Sequence, residues 1–561
     1  MQEASITVDR THRTAALLLV IVGTTLLVLG IYHGLLQVLY RAGWIRGASF
    51  LGLDYYQGLT LHGVVNAIVY TTFFEVAFGY VVVSHFLRAR LASGITWLAV
   101  GMMLVGTVMA ALAILGGKAS VLYTFYPPLK ASPWFYIGAA LLVVGSWIPF
   151  FQWIQAYLGW RRMHPDQNTP LAVVGMLATF TVWLIATLPL AVEVLVLLLP
   201  WSMGWTASVD VVLARTLFWF FGHPLVYFWL LPAYVMYYVM IPPLVGGKLF
   251  SDKAARLAFL LFIVFSAPVG LHHQYADPGV SSSYKWLHGI FTFCVAIPSF
   301  ITAFTVAATL EHGARNNGGT GLFGWWAKLP YFDENRYLFA YAFMGLVLFL
   351  FGGITGIVNA SVTMNNVVHN TAWVPGHFHT TLGGPVFLAF LGLSVWMLTE
   401  LGGKELRLPR WNVLVPYLWT AGVALFSIGL SVAGVLGEPR RTNMALSYSN
   451  PDSPLFQPQW EIWTRLGAVG GILMTLAMVA YFAVFFSTLF APARQVVEIR
   501  FPTAEPLRFE SLGATRNFTP WVVVAVIFLV IAYAPPLVEV LTGNTVPVPP
   551  YEPFSPVPVT R

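Results

Sequence analysis

One cysteine, Cys294, stands in 561 residues. A chain with a single thiol forms no internal disulfide. It also has no Cys-rich zinc or iron–sulfur site and no Cys-x-x-Cys-His haem attachment. Any haem would have to be held without a covalent link, through histidine. A thiolate-bridged copper centre is excluded on the same ground, so electrons from such a centre would come from a separate subunit. Charge is equally scarce: Asp, Glu, Lys and Arg make up 9% of the sequence, against about 25% in a soluble protein. With 58% hydrophobic residues and a mean hydropathy of +0.74, that scarcity excludes an ordinary soluble fold and indicates an all-α polytopic membrane protein.

Two further absences narrow the class. No small-residue cleavage site precedes the end of the first apolar run at Tyr32-His33, so the N-terminal run reads as a membrane helix rather than a leader. No inverted internal repeat of the transporter kind is found, and no soluble domain is evident. The whole chain, 1–561, therefore reads as a single membrane-embedded catalytic domain.

Apolar runs long enough to span a bilayer fall at about 15–37, 58–87, 95–116, 134–158, 170–199, 211–242, 256–276, 284–311, 337–357, 372–399, 411–436, 460–490 and 518–541. The expectation is a bundle of about 13 transmembrane helices. The net charge of +7 would suggest nucleic acid in a soluble protein. Here most of the 29 Lys and Arg residues lie in loops on one side, which makes them a topology signal and not a nucleic-acid signal. The positive-inside rule then predicts a cytoplasmic N-terminus and an external C-terminus. The outer loop Glu438 to Gln459, the inner loop Pro492 to Arg516 and the Pro-rich tail Pro547 to Arg561 are expected to cover the bundle or contact a partner subunit.

The stretch that organises the rest is Thr371-Ala-Trp-Val-Pro-Gly-His-Phe-His-Thr380. His377 and His379 stand two positions apart at the head of a membrane helix, about 200° of rotation, so their rings leave on opposite sides. Each can serve a different partner. The other histidines weigh the case. His62 lies near the outer end of the second expected helix, His223 in the outer part of the sixth, and His272 and His273 at the outer end of the seventh. All six fall within about ten residues, ~15 Å, of the expected outer surface. Scattered structural histidines have no reason to converge on one depth.

The six divide into two haems and a copper. A six-coordinate haem needs two axial histidines on opposed helices, which His62 with one of His377 or His379 can supply. A haem with an open face needs one proximal ligand. Three nitrogens from His223, His272 and His273 suit copper with a position left open. His12, His33, His85, His164, His288, His312 and His369 are not assigned as ligands.

At this point the chain resembles a known family, the haem–copper oxygen reductases, and within it subunit I of the B family, the ba-type cytochrome c oxidases. The resemblance rests on Gln57-Gly-Leu-Thr-Leu-His62, Gly222-His-Pro-Leu-Val-Tyr227, His272-His273-Gln-Tyr-Ala-Asp-Pro278 and Trp373-Val-Pro-Gly-His-Phe-His379, and it covers essentially the whole chain. It implies the haem–copper oxidase subunit I fold, with His62 and His379 as axial ligands of a low-spin haem of b type. It implies His377 as proximal ligand of a high-spin haem of a type, and His223, His272 and His273 as ligands of one copper ion. Tyr227 matches the tyrosine that becomes cross-linked to the first copper histidine, and a spacing of four residues permits that. Arg440 and Arg441 match the arginine pair that faces haem propionates.

Two positions depart from the family. Leu225 replaces the glutamate of the A family, so that glutamate proton branch is absent. Asn365 replaces a ba-type aspartate near the propionates, which removes an ionisable carboxylate there. Glu75 and Glu193 are intramembrane acids of unassigned role, costly if charged and unpaired.

The implied activity is four-electron reduction of oxygen to water in a bacterial or archaeal plasma membrane, coupled to proton uptake and pumping. The implied partners are cytochrome c, a subunit II carrying a dinuclear copper centre, and a small single-helix subunit. A nitric oxide reductase of the same superfamily is the nearest alternative. It would want carboxylate ligands beside the three histidines, and none stands there in the sequence.

A proton route is legible from helix geometry. On an ideal helix Tyr227, Tyr234 and Tyr238 stand at about 40°, 20° and 60° from His223, a hydroxyl stripe about 22 Å long. Ser299 and Thr302, three apart on the eighth helix, are placed to continue it. The ba-type oxidases use a single route whose residues match Tyr234, Tyr238, Ser299 and Thr302. Tyr237, off the stripe, fits an interfacial anchor better.

Overall fold

The computed structural model describes residues 8–45, 52–444, 448–494 and 500–545. The tail Pro547 to Arg561 lies outside the described residues, as do short parts of the loops at Glu438 to Gln459 and Pro492 to Arg516. Helices dominate: α1 (Arg10–Arg41), α2 (Tyr55–Leu87), α3 (Ser93–Leu115), α4 (Pro133–Met163), α5 (Leu171–Ser202), α6 (Val211–Leu244), α7 (Asp252–Phe265), α8 (Ser282–Asn316), α9 (Glu334–Ala360), α10 (Trp373–Leu401), α11 (Pro409–Val435), α12 (Pro458–Leu489) and α13 (Thr519–Leu541). Among the described residues the extended backbone forms isolated bridges only, one of them between Thr371 and Pro439.

Twelve of these helices are long and apolar enough to cross a bilayer. The exception is the seventh expected span, 256–276. Its helix stops at Phe265 after 14 residues, because Pro268 cannot donate the bond that would carry the helix on and also disfavours helical geometry before it. The chain resumes as a 3₁₀ turn, Gly270–Gln274. His272 and His273 therefore sit on a short turn rather than at the end of a membrane helix.

Helix starts follow their side chains. Asp54 and Gln57 form a reciprocal capping box at the head of α2, which satisfies two otherwise free N–H groups. Asp210 caps α6 through Leu213 N–H at 2.9 Å, and Ser251 caps α7 through Ala254 N–H at 3.0 Å. Neighbouring helices close up where side chains are smallest. A Cβ on Gly429 of α11 would collide with the Trp463 carbonyl of α12, the small-residue contact that drives helix association in lipid.

The histidine-bearing helices α2, α6 and α10 are the innermost, with about nine-tenths of their central stretches buried. Helices α8 and α13 are the most peripheral. π-turns interrupt the buried helices near the histidines: Val64–Val69 follows His62, Leu382–Val386 follows His379, and Met236–Met240 falls within the expected tyrosine stripe. Gly384 in α10 leaves helical geometry altogether, at ψ −105° just before Pro385.

Candidate metal and haem centres

His62 and His379 face each other across a cavity. Their rings are parallel within 10°, with centroids 6.2 Å apart. His62 Nδ1–H donates to the Gly30 carbonyl at 2.8 Å, and His379 Nδ1–H donates to the Pro375 carbonyl at 2.8 Å. Each bond fixes the tautomer and leaves Nε2 as a free lone pair. Room for His62 comes from α1: a Cβ on Gly34 would stand 2.7 Å from the ring, and one on Gly30 would overlap Asn66. The cavity between and around the two rings measures about 270 Å³ and is lined mainly by apolar groups, among them Phe387, Trp419 and Phe426.

Arg41, Arg440 and Arg441 stand at its rim. Arg440 Nε and one terminal nitrogen of Arg441 are buried without a hydrogen-bond partner among the described residues. Burial first, and the Arg441 charge second, pull Arg440 down to about 10. Arg441 donates to the Tyr126 hydroxyl at 3.1 Å and lies over the Tyr123 ring. Buried guanidinium nitrogens left over after these bonds call for an anion, and two carboxylates at the edge of a flat apolar group would satisfy them. The cavity, the free Nε2 atoms and the arginines all fit a haem.

On the other side of α10, His377 Nδ1–H donates to Thr355 Oγ1 of α9 at 2.8 Å, again freeing Nε2. The opposed rings expected from the two-residue spacing are therefore found. His377 lies on the same side as His223 and His272, in their neighbourhood.

His223, His272 and His273 each offer a ligand atom, all within 4.8 Å of one another. His223 Nδ1 and His273 Nε2 are 3.2 Å apart. His272 Nδ1–H donates to Thr292 Oγ1 at 2.8 Å, and the His273 ring lies flat on Trp219 at 4.0 Å. Three imidazole nitrogens converging with no carboxylate among them suit copper. Tyr227 lies beside this cluster, its ring 4.9 Å from that of His223.

A model of the family described as Cytochrome C and Quinol oxidase polypeptide I matches residues 14–473. The chain belongs to that family. It is 42% identical over 504 residues to cytochrome c oxidase subunit 1 of Thermus thermophilus, covering 88% of each chain. It is 26% identical over 391 residues to cytochrome c oxidase subunit 1 of Thermostichus vulcanus, covering 67% of this chain and 64% of that one. Among solved structures, a heme-copper terminal oxidase dimer seen by cryo-electron microscopy superposes with a TM-score of 0.93 and 50% identity, over 98% of this chain and 97% of that one. Haem and copper are the cofactors of the family, and helix α13 lies beyond the matched stretch.

The expected tyrosine row of this oxidase subunit is assembled in part. Tyr238 donates to Thr302 Oγ1 at 2.6 Å, joining α6 to α8. Tyr234 packs edge-on to Tyr238. Its hydroxyl lies near Ser299 and Thr302 but makes no hydrogen bond among the described residues. Tyr237 is buried at 1% exposure, so it is no interfacial anchor. Helix α6 is buried on every face from Leu230 to Pro242, so Tyr237 packs inside the bundle although it lies off the stripe. Thr305 and Thr309, buried on α8, extend the hydroxyl row beyond Thr302. Their i, i+3, i+7 spacing on an apolar helix was the available signal.

Asn365 donates through Nδ2 to the Asn359 carbonyl at 2.7 Å and meets His369 Nδ1 through Oδ1 at 3.0 Å. An ionised aspartate could make only the second contact. Glu75 and Glu193 are fully buried, and their carboxyl oxygens have no hydrogen-bond partner among the described residues. His288 is likewise buried, and both of its ring nitrogens are bonded.

Proposed function

We propose that this chain is the catalytic subunit of a terminal oxidase that takes electrons from cytochrome c through a copper-bearing subunit II. It reduces oxygen to water: four electrons and four protons per O₂ yield two H₂O. The observation that carries the reading is the two-sided placement of His377 and His379, one ring toward a paired histidine across a flat cavity and the other toward a three-histidine cluster.

In this reading His62 and His379 hold a low-spin haem of b type, His377 holds a high-spin haem of a type, and His223, His272 and His273 hold copper. Iron and copper, when bound, supply the electron transfer and the oxygen-binding position. The protein supplies the rest. Carbonyls of Gly30 and Pro375 and the hydroxyls of Thr355 and Thr292 set the tautomers, so that His62, His379, His377 and His272 each present Nε2. Arg440 and Arg441 bind propionates. The apolar lining excludes water from the low-spin site. Tyr227, beside His223, is placed to give up a proton and an electron at its phenol oxygen, since a nearby metal cation stabilises the deprotonated form. Tyr234, Tyr238, Ser299 and Thr302 pass protons inward from the cytoplasmic side, part of which are pumped. The N-terminus is cytoplasmic and the C-terminus external, following the positive-inside asymmetry.

Purified enzyme should contain two haems and one copper from this chain, and should consume oxygen with reduced cytochrome c. The family description also covers quinol oxidases, so a quinol donor is the comparison. Turnover with quinol and none with cytochrome c would overturn the donor. Reduction of nitric oxide without oxygen consumption would overturn the reaction.

A further inference from the structure

The turn Gly270–Gln274 carries two of the three clustered histidines and belongs to no long helix. Its first N–H groups have no helical carbonyl behind them, so they need partners from elsewhere. Gly270 N–H donates to the Tyr533 hydroxyl at 3.0 Å. Leu271 N–H donates to His288 Nδ1 at 3.3 Å, and His288 Nε2–H donates to the Ala532 carbonyl at 2.9 Å. One tautomer of His288 satisfies both bonds.

Ala532 and Tyr533 are consecutive residues of α13, and both are buried. The Tyr533 ring stacks on Phe220 of α6 at 3.7 Å and meets His288 edge-on. At Gly270 a Cβ would collide with the Trp219 carbonyl and the Tyr533 hydroxyl, so the turn is pressed between α6 and α13. The same network reaches a ligand directly. The His288 carbonyl accepts from Thr292 Oγ1 at 2.6 Å, and Thr292 Oγ1 accepts from His272 Nδ1 at 2.8 Å.

We propose that Tyr533 and His288 are positioning residues of the three-histidine centre, so that the C-terminal helix is a working part of the metal site. The inference rests on the reading of that centre as copper-binding. Tyr533 holds the backbone on which His272 and His273 are mounted, and His288 anchors the hydroxyl that orients His272. A peripheral helix that served only as lipid-facing packing would need neither the hydroxyl of Tyr533 nor the Ala532 carbonyl at this point.

The test uses the purified holoenzyme with its partner subunit, measuring copper per haem and the rate of copper loss to a chelator under reducing conditions. Tyr533→Phe keeps the stacked ring and removes one hydrogen bond. It should weaken copper retention by roughly 10- to 100-fold, as loss of ligand-supporting bonds does at other metal sites, with both haem spectra unchanged. Thr292→Val should behave alike, and Thr292→Ser should restore retention. Wild-type copper retention in Tyr533→Phe, beside copper loss in His272→Ala, would overturn the inference alone. Full copper in His272→Ala would overturn the copper reading and the inference with it. Loss of both haems together with copper in Tyr533→Phe would also overturn it, because that marks general unfolding.

Discussion

Arg41 Nε stands 3.1 Å from Glu438 Oε1, and both side chains are buried. Arg41 ends α1, and Glu438 opens the segment Glu438-Pro439-Arg440-Arg441. Glu438 also accepts the Thr464 hydroxyl of α12 at 3.1 Å, while Arg41 reaches the Pro439 carbonyl. Two helices and the arginine loop are thus pinned at one point on the rim of the His62–His379 cavity. The charge count follows. Glu438 offsets Arg41, which in the proposed reading leaves Arg440 and Arg441 for the two propionates of one haem.

Glu438→Gln should therefore leave one uncompensated positive charge at the rim. The reduced low-spin haem, carrying one positive charge less than the oxidised form, is then favoured, and its midpoint potential should rise. Arg41→Met should lower it. Removing one partner of a buried pair costs about 3–5 kcal/mol, so some loss of thermal stability is expected in both. Redox titration of the low-spin haem band checks the sign, and shifts in the same direction for both variants would refute the charge count.

The haem assignment separates on two substitutions. His62→Ala should abolish the low-spin signal while the carbon-monoxide-binding haem survives in part. His377→Ala should do the reverse. Optical spectra of the reduced and carbon-monoxide-treated proteins decide it, and loss of the same haem in both variants would be incompatible with the rings leaving α10 on opposite sides.

How far the sequence carried this picture depended on whether the determinant was local. The spans were legible because hydropathy is a property of a run, and twelve of the thirteen fall on long helices. The seventh failed where Pro268 broke a stretch that remained apolar throughout, so composition continued although the helix did not. The histidines were legible from motif and depth. Their supporting bonds were not: Thr355 meets His377, Gly30 meets His62 and Tyr533 meets Gly270 across helices, and no spacing rule links residues so far apart in sequence. Arg41 and Glu438 were hidden for the same reason. The position of Tyr237 was misjudged because an angle around the helix says nothing of depth in the bundle, and α6 is buried on every face from Leu230 to Pro242.

Asn365 gives a prediction on coupling. Burial first, and the Arg440 charge second, pull His369 down to about 4, so it is neutral at pH 7. Its ordinary value is about 6.5. Because the folded value is the lower one, this group's contribution to stability is full above about pH 6.5 and is lost as the pH falls toward 4. Asn365→Asp should raise His369 and leave the Asn359 carbonyl without its donor. Oxygen reduction should continue, since no carboxylate is present there in the natural chain, and only the pumping ratio should change. Proton-to-electron ratios in vesicles check this. A wild type that reduces oxygen without pumping, and pumps once Asp is restored, would show that the carboxylate is required.

The proton route rests on the bond from Tyr238 to Thr302. At 2.6 Å it links α6 to α8 at a depth where Thr302 is 2% exposed. Thr302 Oγ1–H itself points to the Pro298 carbonyl at 2.7 Å. This back-bond to the carbonyl four residues earlier leaves the Thr302 oxygen free to accept from Tyr238. Above this pair, the Tyr234 hydroxyl makes no hydrogen bond among the described residues, and a bridging water would carry a proton on toward Tyr227. Tyr238→Phe and Thr302→Val each break the hydroxyl-to-hydroxyl bond of the row. Either should slow proton uptake by about 10²-fold, the lower range for a positioned proton-transfer group, with haem and copper retained. Thr302→Ser preserves the hydroxyl and should keep most of the rate. Single-turnover flash experiments with a pH-indicating dye read the uptake directly. Wild-type rates in both Tyr238→Phe and Thr302→Val would leave the row as helix packing and require a different path from the cytoplasmic face.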